Sequence, residues 1–252
     1  MTAEPASSAQ AAPASAPGDG PLVSVLVAAF NEEETVEAVL RRVAELPFRS
    51  EIVVVDDGSV DGTRAVLERL QAGDEVEGLR VLRHEHNRGK GAAVRTAIAA
   101  SRGDIVVIQD ADLEYHPRDL PRLLEPILEG YADVVLGTRL RGGQPQRAHL
   151  FWHYAGNRFL SLLTNVLFNT TISDMEVGYK AFRGDLVRSL HLVSDDFAIE
   201  PELAAKILRQ GDVRLYEVPI SYFGRTYAEG KKITWRDGLG AVRALIRFRI
   251  ER

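Results

Sequence analysis

The feature that most constrains the fold is an alternation of short, almost wholly apolar segments with longer segments of helical periodicity. Residues 52–55, for example, read Ile-Val-Val-Val and are followed by polar and glycine residues. Continuous apolar runs of this length are typical of strands buried on both faces, as in parallel sheets that helices cover on either side. The pattern therefore predicts an α/β fold with a mostly parallel central sheet flanked by helices.

The predicted elements alternate regularly up to about residue 140, and the remainder of the chain is mainly helical. The predicted strands are residues 22–28, 51–55, 79–82, 105–109, 133–137 and 213–220. The predicted helices are residues 32–46, 61–70, 91–100, 117–129, 149–168, 185–192 and 199–210, and a basic amphipathic helix from Trp235.

The 252 residues suffice for one large domain. Residues 1–20 are mostly Ala, Pro, Ser and Gly, a composition that favours a disordered tail. We therefore expect a tail over 1–20, a main domain over 21–235 and a C-terminal basic amphipathic helix over 236–252.

Composition excludes several classes of function. The formal net charge is -5, so the chain has no bulk positive field that would hold nucleic acid, and no nucleic-acid partner is expected. The absence of cysteine excludes disulfides, thiolate metal sites and a cysteine nucleophile. No stretch approaches the ~20 apolar residues that cross a bilayer, so any membrane contact is expected at the surface.

Two polar clusters follow the first two predicted strands. Around the first, small residues allow close approach of a ligand, and Asn31 is the predicted N-cap of the next helix. Directly after the second strand, Asp56 and Asp57 place adjacent carboxylates that repel each other unless a partner accepts them, and a nucleoside offers suitable base and ribose donors. A turn with a helix cap is the simpler interpretation, but it leaves the carboxylate pair unexplained.

A third cluster places Lys90 between Gly89 and Gly91 at a predicted helix start, which suits a phosphate or a nucleotide edge. This segment is not a Walker A loop, because the upstream glycine and the following Ser or Thr are missing. No G-x-G-x-x-G follows the first strand either, which excludes a dehydrogenase of Rossmann type. A plain helix start is the alternative for this segment.

The most informative cluster is Asp110 and Asp112, which follow the apolar run 105–108. Residues i and i+2 of an extended chain point to the same side, so both carboxylates can face one divalent cation. Oxygen ligands favour Mg²⁺ or Mn²⁺, which would stabilise a diphosphate leaving group. Two solvated acids in a loop are the alternative interpretation.

In this order and spacing, segments 28–32, 56–63, 87–91 and 110–112 resemble the inverting GT-A glycosyltransferases of family 2, and the resemblance covers roughly residues 22–235. Within that family the chain looks most like dolichyl-phosphate mannose and glucose synthases and their bacterial polyprenyl-phosphate relatives. The resemblance implies a GT-A (Rossmann-like) fold with a helical acceptor-side region. It also implies metal-dependent, inverting transfer of a hexose from a GDP-mannose or UDP-glucose type donor to a polyprenyl or dolichyl phosphate.

The resemblance also implies roles for individual residues. The implied residues for the nucleotide sugar are Ala28, Phe30, Asn31, Glu32, Asp56, Asp57, Lys90, Asp110 and Lys231. The implied metal ligands are Asp110, Asp112 and Glu114, and the implied catalytic residues are Asp112, Arg139, Arg225 and Glu202. The acceptor-phosphate segment departs from the mannose synthases, because Arg147, His149 and His153 stand where those enzymes carry an Arg and a Ser four residues apart.

The acceptor remains open at this point. A phosphate monoester is already anionic and needs cations, whereas an alcohol needs a base, for which Glu202, Glu200 and Asp174 are candidates. Transfer to a hydroxyl of a polysaccharide or small molecule is therefore one alternative, and a catalytically silent nucleotide-sugar-binding module is another.

A lipid acceptor would bring the protein to a membrane. We then expect a cytoplasmic protein that is peripheral on the cytosolic face, with an integral-membrane protein as a candidate partner. The aromatic helix 149–168 and the C-terminal helix are the candidate contact elements. The C-terminal helix carries a stripe of Leu239, Val242, Leu245 and Ile246, which suits either anionic lipid or the protein's own core.

Overall fold

The computed structural model describes residues 20–145, 147, 151–225 and 235–251. Its centre is a seven-stranded sheet with strand order β3-β2-β1-β4-β6-β5-β7. The strands are β1 (Val23–Ala29), β2 (Ser50–Asp56), β3 (Leu79–Arg83), β4 (Ile105–Asp110), β5 (Val134–Thr138), β6 (Lys180–Arg183) and β7 (Leu215–Pro219).

The sheet is parallel except for one strand. β1 pairs in parallel with β2 and β4, β2 with β3, and β5 with β7. β6 lies between β4 and β5 and is antiparallel to both. As a result, the amino end of β6 lies at the same edge of the sheet as the carboxyl ends of β1, β2, β4 and β5. The predicted α/β class with a mostly parallel sheet flanked by helices is confirmed.

Eight α-helices surround or extend this sheet in the part of the chain described here, and a single 3-10 turn at Pro117–Asp119 precedes α4. They are α1 (Val36–Ala44), α2 (Thr63–Ala72), α3 (Lys90–Ala100), α4 (Leu120–Leu128), α5 (Phe151–Phe168), α6 (Gly184–Ser189), α7 (Ile199–Leu208) and α8 (Trp235–Ile250).

Hydrophobic burial fixes how the helices lie on the sheet. The inner strands β1, β2, β4 and β5 are buried along almost their whole length. α1 buries Val36, Val39, Leu40 and Val43, which recur with the spacing of one helix face. Burial of each such side chain contributes roughly 1.5–3 kcal/mol, so these contacts anchor α1 on the sheet.

The structure differs from the predicted elements in two places. The helix predicted over 32–46 begins only at Val36, because Asn31 has a φ of 53° and is not its N-cap. Instead, the Asn31 N–H donates to Ser59 Oγ at 3.0 Å and its Oδ1 accepts from Val60 N at 2.9 Å. Strand β6 was not predicted either, since its four residues form too short a run to signal a strand.

The C-terminal helix α8 packs on the domain through a face that overlaps the predicted stripe only in part, since Leu245 is fully buried and Val242 packs against the core. Its buried residues are Ala241, Ala244, Leu245 and Phe248, whereas Leu239 of the predicted stripe is 58% exposed. Ala244 and Phe248 form a small cluster with Ala205 of α7. Arg249 adds a hydrogen bond from Nε to the Leu167 carbonyl of α5 at 2.8 Å.

An apolar stripe of α5 remains exposed, formed by Trp152, Phe159, Leu162 and Val166. None of the helices in the described ranges is long and apolar enough to cross a membrane. The predicted tail lies outside the described residues except for Gly20, and so do His149 and Lys231.

Candidate functional site

A cavity of about 1430 Å³ opens at the edge of the sheet where β1, β2, β4 and β5 end. Strand ends of the first half and helices of the second half both line it. The predicted site residues among its lining are Ala28, Phe30, Glu32, Asp57, Lys90, Asp110, Asp112, Glu114, Arg139 and Arg225. Asn31, Asp56 and Glu202 are not among the lining residues.

Hydrogen bonds within the protein satisfy the two adjacent carboxylates that follow β2. Asp56 Oδ1 accepts from the Ser59 N–H at 3.0 Å and so closes the turn after the strand. Asp57, which lines the cavity, accepts from Arg88 N at 3.0 Å and Gly89 N at 2.8 Å. Its Oδ1 also lies 2.6 Å from Nδ1 of His84, whose side chain is 5% exposed. Asp57 thus fixes the start of α3 at the rim of the cavity.

Lys90 is held between two carboxylates at the start of α3. Its Nζ lies 2.8 Å from Asp110 Oδ1 and 3.0 Å from Glu200 Oε1. Burial alone would lower the pKa of Lys90, but the negative charges of Asp110 and Glu200 raise it well above its usual value. Gly89 permits this arrangement, since its φ is 98° and a Cβ atom there would collide with the Asp195 carbonyl.

Asp112 and Glu114 are held by Arg225, which lies 113 and 111 residues further along the sequence. The Arg225 N–H donates to Glu114 Oε1 at 2.7 Å, and Nε donates to the Asp112 carbonyl at 3.2 Å. One terminal nitrogen of the guanidinium lies 2.8 Å from Glu32 Oε2 and 3.8 Å from Asp112 Oδ2. The Tyr222 hydroxyl donates to Glu114 Oε2 at 3.0 Å.

The residues at the end of β4 fit a divalent cation that is shared with a substrate. Asp110 and Asp112 are partly exposed in the same cavity and offer oxygen ligands, while Lys90 shows that a cation is accepted beside Asp110. Across the described ranges, no group of three or more His, Cys, Asp or Glu residues could hold a metal by itself. Mg²⁺ is commonly bound by one or two carboxylates with substrate phosphates and water, so two carboxylates suffice.

On the other side of the cavity, Arg139 follows β5 and makes a buried, bidentate ion pair with Asp174. Nε and one terminal nitrogen of Arg139 each lie 2.7 Å from a different Asp174 oxygen. Asn157 of α5 donates to the same carboxylate at 2.7 Å. Burial would raise the pKa of Asp174, but the guanidinium of Arg139 keeps it below its usual value. Asp174 is therefore saturated with donors and unsuited to act as a base.

Of the two acids on α7, the structure brings only Glu200 to the cavity. Two residues along a helix point about 200° apart, so Glu202 faces away. Its carboxylate is fully buried and accepts from Val193 N at 2.8 Å and Ser194 N at 2.7 Å. In this position Glu202 holds the segment before α7 and does not reach a substrate in the cavity.

Sequence reasoning also missed a lining residue, Glu176, which precedes β6. Because β6 runs antiparallel, the residues before it reach the edge where parallel strands end. Burial, reinforced by the negative charge of Glu200, raises the pKa of Glu176 to about 7. Gly178, two residues later, brings this segment close to the end of β4, since a Cβ atom at that glycine would collide with Asp110 Oδ2.

Sequence comparisons identify a protein family and several relatives for this chain. Residues 24–190 match the profile described as Glycosyl transferase family 2. An uncharacterized protein of Methanocaldococcus jannaschii is 30% identical over 82% of this chain and 83% of its own length. Glycosyltransferase AglJ of Haloferax volcanii is 31% identical over 81% of this chain. The undecaprenyl-phosphate 4-deoxy-4-formamido-L-arabinose transferase of Pseudomonas aeruginosa is 32% identical over 83% of it.

This chain matches only 63% and 60% of the length of those two transferases. Among solved structures, glucosyl-3-phosphoglycerate synthase from Mycobacterium tuberculosis, in complex with Mn²⁺, UDP and phosphoglyceric acid, superposes with a TM-score of 0.71. The match covers 92% of this chain and 79% of that one at 24% identity, a level that shows the shared fold. With the family profile spanning most of the sheet and the cavity, the chain belongs to glycosyl transferase family 2 and is a glycosyltransferase.

Proposed function

We propose that this glycosyltransferase moves a hexose, with inversion, from a nucleotide sugar to a polyprenyl phosphate. The observation that carries the proposal is that one cavity contains both the carboxylate pair at the end of β4 and three arginines, Arg139, Arg147 and Arg225. Carboxylates suit a divalent cation, and arginines suit phosphate groups. The cavity thus offers partners for a diphosphate and for a second anionic substrate.

The sugar-donor side would work through residues at the sheet edge. Asp110 and Asp112 would hold Mg²⁺ or Mn²⁺, which when bound neutralises charge on the leaving diphosphate. Lys90 and Arg225 add positive charge beside the same carboxylates. Relatives of the fold support this proposal, since the mycobacterial synthase is described with Mn²⁺ and UDP-glucose and with Mg²⁺ and UDP.

On the acceptor side, a phosphate monoester requires alignment rather than deprotonation. Arg139 is preorganised by Asp174 and lies with its guanidinium carbon 5.0 Å from the ring centre of Tyr222. Its positive charge would orient the acceptor for attack on the anomeric carbon from the face opposite the leaving group. The undecaprenyl-phosphate transferases among the relatives support a lipid phosphate as the acceptor.

We propose that α5 and α8 together form the membrane-facing surface. The exposed apolar stripe of α5 lies beside a helix whose exposed face carries Ile246 and Ile250 with Arg243 and Arg247. Residues at the amino ends of both helices, Trp152 and Gly238, line the cavity. Apolar side chains beside arginines suit an anionic bilayer surface, which would place the cavity mouth at the lipid headgroups.

A two-stage experiment tests the proposal. Thermal unfolding is first measured with UDP, GDP, UDP-glucose and GDP-mannose, each with Mg²⁺ or Mn²⁺, because a ligand of the native state raises the melting temperature. Transfer of radiolabelled sugar to undecaprenyl phosphate or dolichyl phosphate in vesicles is then measured. Transfer that is lost in EDTA and in Arg139→Met is the expected result.

Two results would replace the proposal. Equal transfer to a free sugar or a simple alcohol would favour the hydroxyl-acceptor alternative, and of the three candidate bases Glu202, Glu200 and Asp174 only Glu200 lines the cavity. Binding of a nucleotide sugar without turnover of any acceptor or of water would indicate a silent binding module.

A further inference from the structure

The wall of the cavity next to β6 is built from alternating charges. Lys90 bridges Asp110 and Glu200, and the fully buried Lys180 makes a second ion pair with Glu200. Lys180 also donates to the carbonyl of Val177. Each charge of this row therefore has an opposite charge beside it, which is how buried charges are normally accommodated.

In the described ranges, the buried Oε1 atom of Glu176 has no hydrogen-bond partner. Four buried side-chain oxygens in the described ranges lack a hydrogen-bond partner, on Asn165, Glu176, Glu200 and Glu217. Cations lie beside two of them, since Glu200 Oε1 is 3.0 Å from Lys90 Nζ and Glu217 Oε2 is 2.9 Å from an Arg141 nitrogen. Asn165 is not among the residues that line the cavity, whereas Glu176 is.

The chemistry of the site indicates which part of a substrate would satisfy this oxygen. A carboxyl group does not attract a diphosphate or an acceptor phosphate, for which the cavity provides cations. A sugar hydroxyl can both donate and accept a hydrogen bond, so it can pair with a carboxyl group whether or not that group is protonated. Glu176 also lies two residues before Gly178, which abuts Asp110. It is therefore near the place where the sugar joins the diphosphate.

We propose that Glu176 determines specificity by hydrogen bonding a hydroxyl of the sugar that is transferred. This inference rests on the proposed nucleotide-sugar function and adds the residue that recognises the sugar. Other residues would bind the nucleotide and the diphosphate. A change at Glu176 should therefore affect the affinity for the nucleotide sugar but not the affinity for the nucleoside diphosphate. A buried group that loses its hydroxyl partner is left unpaired, and such losses reduce affinity by about 10- to 100-fold.

The test compares two ligands that differ only in the sugar. Dissociation constants of UDP and UDP-glucose, and of GDP and GDP-mannose, are measured by calorimetry with Mn²⁺ for the wild type and for Glu176→Leu. For the pair that the wild type prefers, Glu176→Leu should lower the affinity for the nucleotide sugar by about 10- to 100-fold. The affinity for the nucleoside diphosphate should change by less than about threefold.

Two further variants make the comparison specific. Glu176→Gln keeps a hydrogen-bonding group of almost the same size, and we expect it to retain most of the nucleotide-sugar affinity even if Glu176→Leu fails to fold. Asn165→Leu removes an unpartnered buried oxygen outside the cavity and should leave the ratio of the two affinities unchanged.

The inference would be overturned if Glu176→Leu left the ratio of the two affinities unchanged, either because neither affinity fell or because both fell equally. If Glu176→Leu does not fold, a loss in Glu176→Gln that is the same for both ligands has the same meaning. Failure of the wild type to bind any of the four nucleotides would instead overturn the proposed function, and this inference with it.

Discussion

The two sides of the cavity are held together by different kinds of interaction. On the side proposed for the sugar donor, the carboxylates of Asp56, Asp57 and Asp112 accept mainly from backbone N–H groups of nearby turns, although Asp110 pairs with Lys90. On the acceptor side, Asp174 and Glu200 are held mainly by charged side chains, which come from residues such as Arg139 and Lys180. Turns after the strands therefore hold most carboxylates of the first side, whereas the second side depends on buried charges that must remain paired.

The largest expected effect comes from breaking one of those pairs. Asp174→Asn would leave the Arg139 guanidinium buried without a full counter-charge and should lower the free energy of unfolding by about 3–5 kcal/mol. Asp57→Asn on the other side should cost only about 1–3 kcal/mol, because its amide oxygen can still accept from a backbone N–H. Urea denaturation followed by circular dichroism measures both costs, and equal values would contradict the distinction.

Next in size is the effect of the carboxylates after β4 on turnover. Asp110→Asn and Asp112→Asn should each reduce transfer about 10²–10³-fold or more, since an electrostatic partner of the leaving diphosphate is lost. Melting temperature without ligand should change little in Asp112→Asn, because that side chain is 27% exposed, whereas Asp110→Asn also removes one of the two counter-charges of Lys90 and should lower it. Asp195→Asn is the control, as that carboxylate is 60% exposed. Full activity of wild type in excess EDTA would refute a divalent-cation role.

A pH dependence of stability should follow from Glu176, which is surrounded by Glu200, Lys180, Arg139 and Asp174. Its pKa is about 7 in the folded protein against an ordinary 4.5, so the folded state keeps a proton that the unfolded chain releases. Stability is therefore lost as pH rises between these values, by up to about 3 kcal/mol.

Glu176→Gln removes this titration. The variant should become more stable relative to wild type as pH rises from about 4.5 to 8. Urea denaturation at several pH values measures the difference, and parallel curves for the two proteins would show that Glu176 is ionised normally in the folded state.

The smallest expected effects concern the face formed by α5 and α8. Arg243→Gln and Arg247→Gln should each weaken binding to anionic vesicles by about 1 kcal/mol, or roughly fivefold, with the effect disappearing at high salt. Arg64→Gln is the matched control, since Arg64 is exposed on α2 of the sugar-donor side. Co-sedimentation measures the binding, and identical losses in all three variants would indicate a response to net charge alone.

Most residues of the sugar-donor side could be predicted from the sequence. Asp57, Lys90, Asp110 and Asp112 all line the cavity as expected, because the carboxyl ends of parallel strands meet at one edge. Their internal partners could not be predicted. Backbone N–H groups of the protein itself satisfy Asp56 and Asp57, so these two carboxylates do not need a ligand to be accommodated side by side.

The acceptor side was harder to predict for a physical reason. Its pairs join side chains that are far apart in sequence, and no local pattern reveals that Asn157 and Arg139 meet on Asp174. The rotation of α7, which no local pattern reveals, turns Glu200 rather than Glu202 toward the cavity. Glu176 was missed because ligand-binding residues are expected after the strands of a parallel sheet. Glu176 instead precedes β6, which is antiparallel to its neighbours.

The position of β6 has a consequence for synthesis on the ribosome. This strand is made after β4 and β5 but lies between them, so both neighbours keep an unpaired edge until residues 180–183 emerge. A nascent chain that ends at residue 145 would already carry the carboxylate pair of β4, yet it would lack the strand that joins the two sides. Transferase activity is therefore a late property of the growing chain, and separately expressed fragments divided near residue 145 should regain it only by assembling with each other.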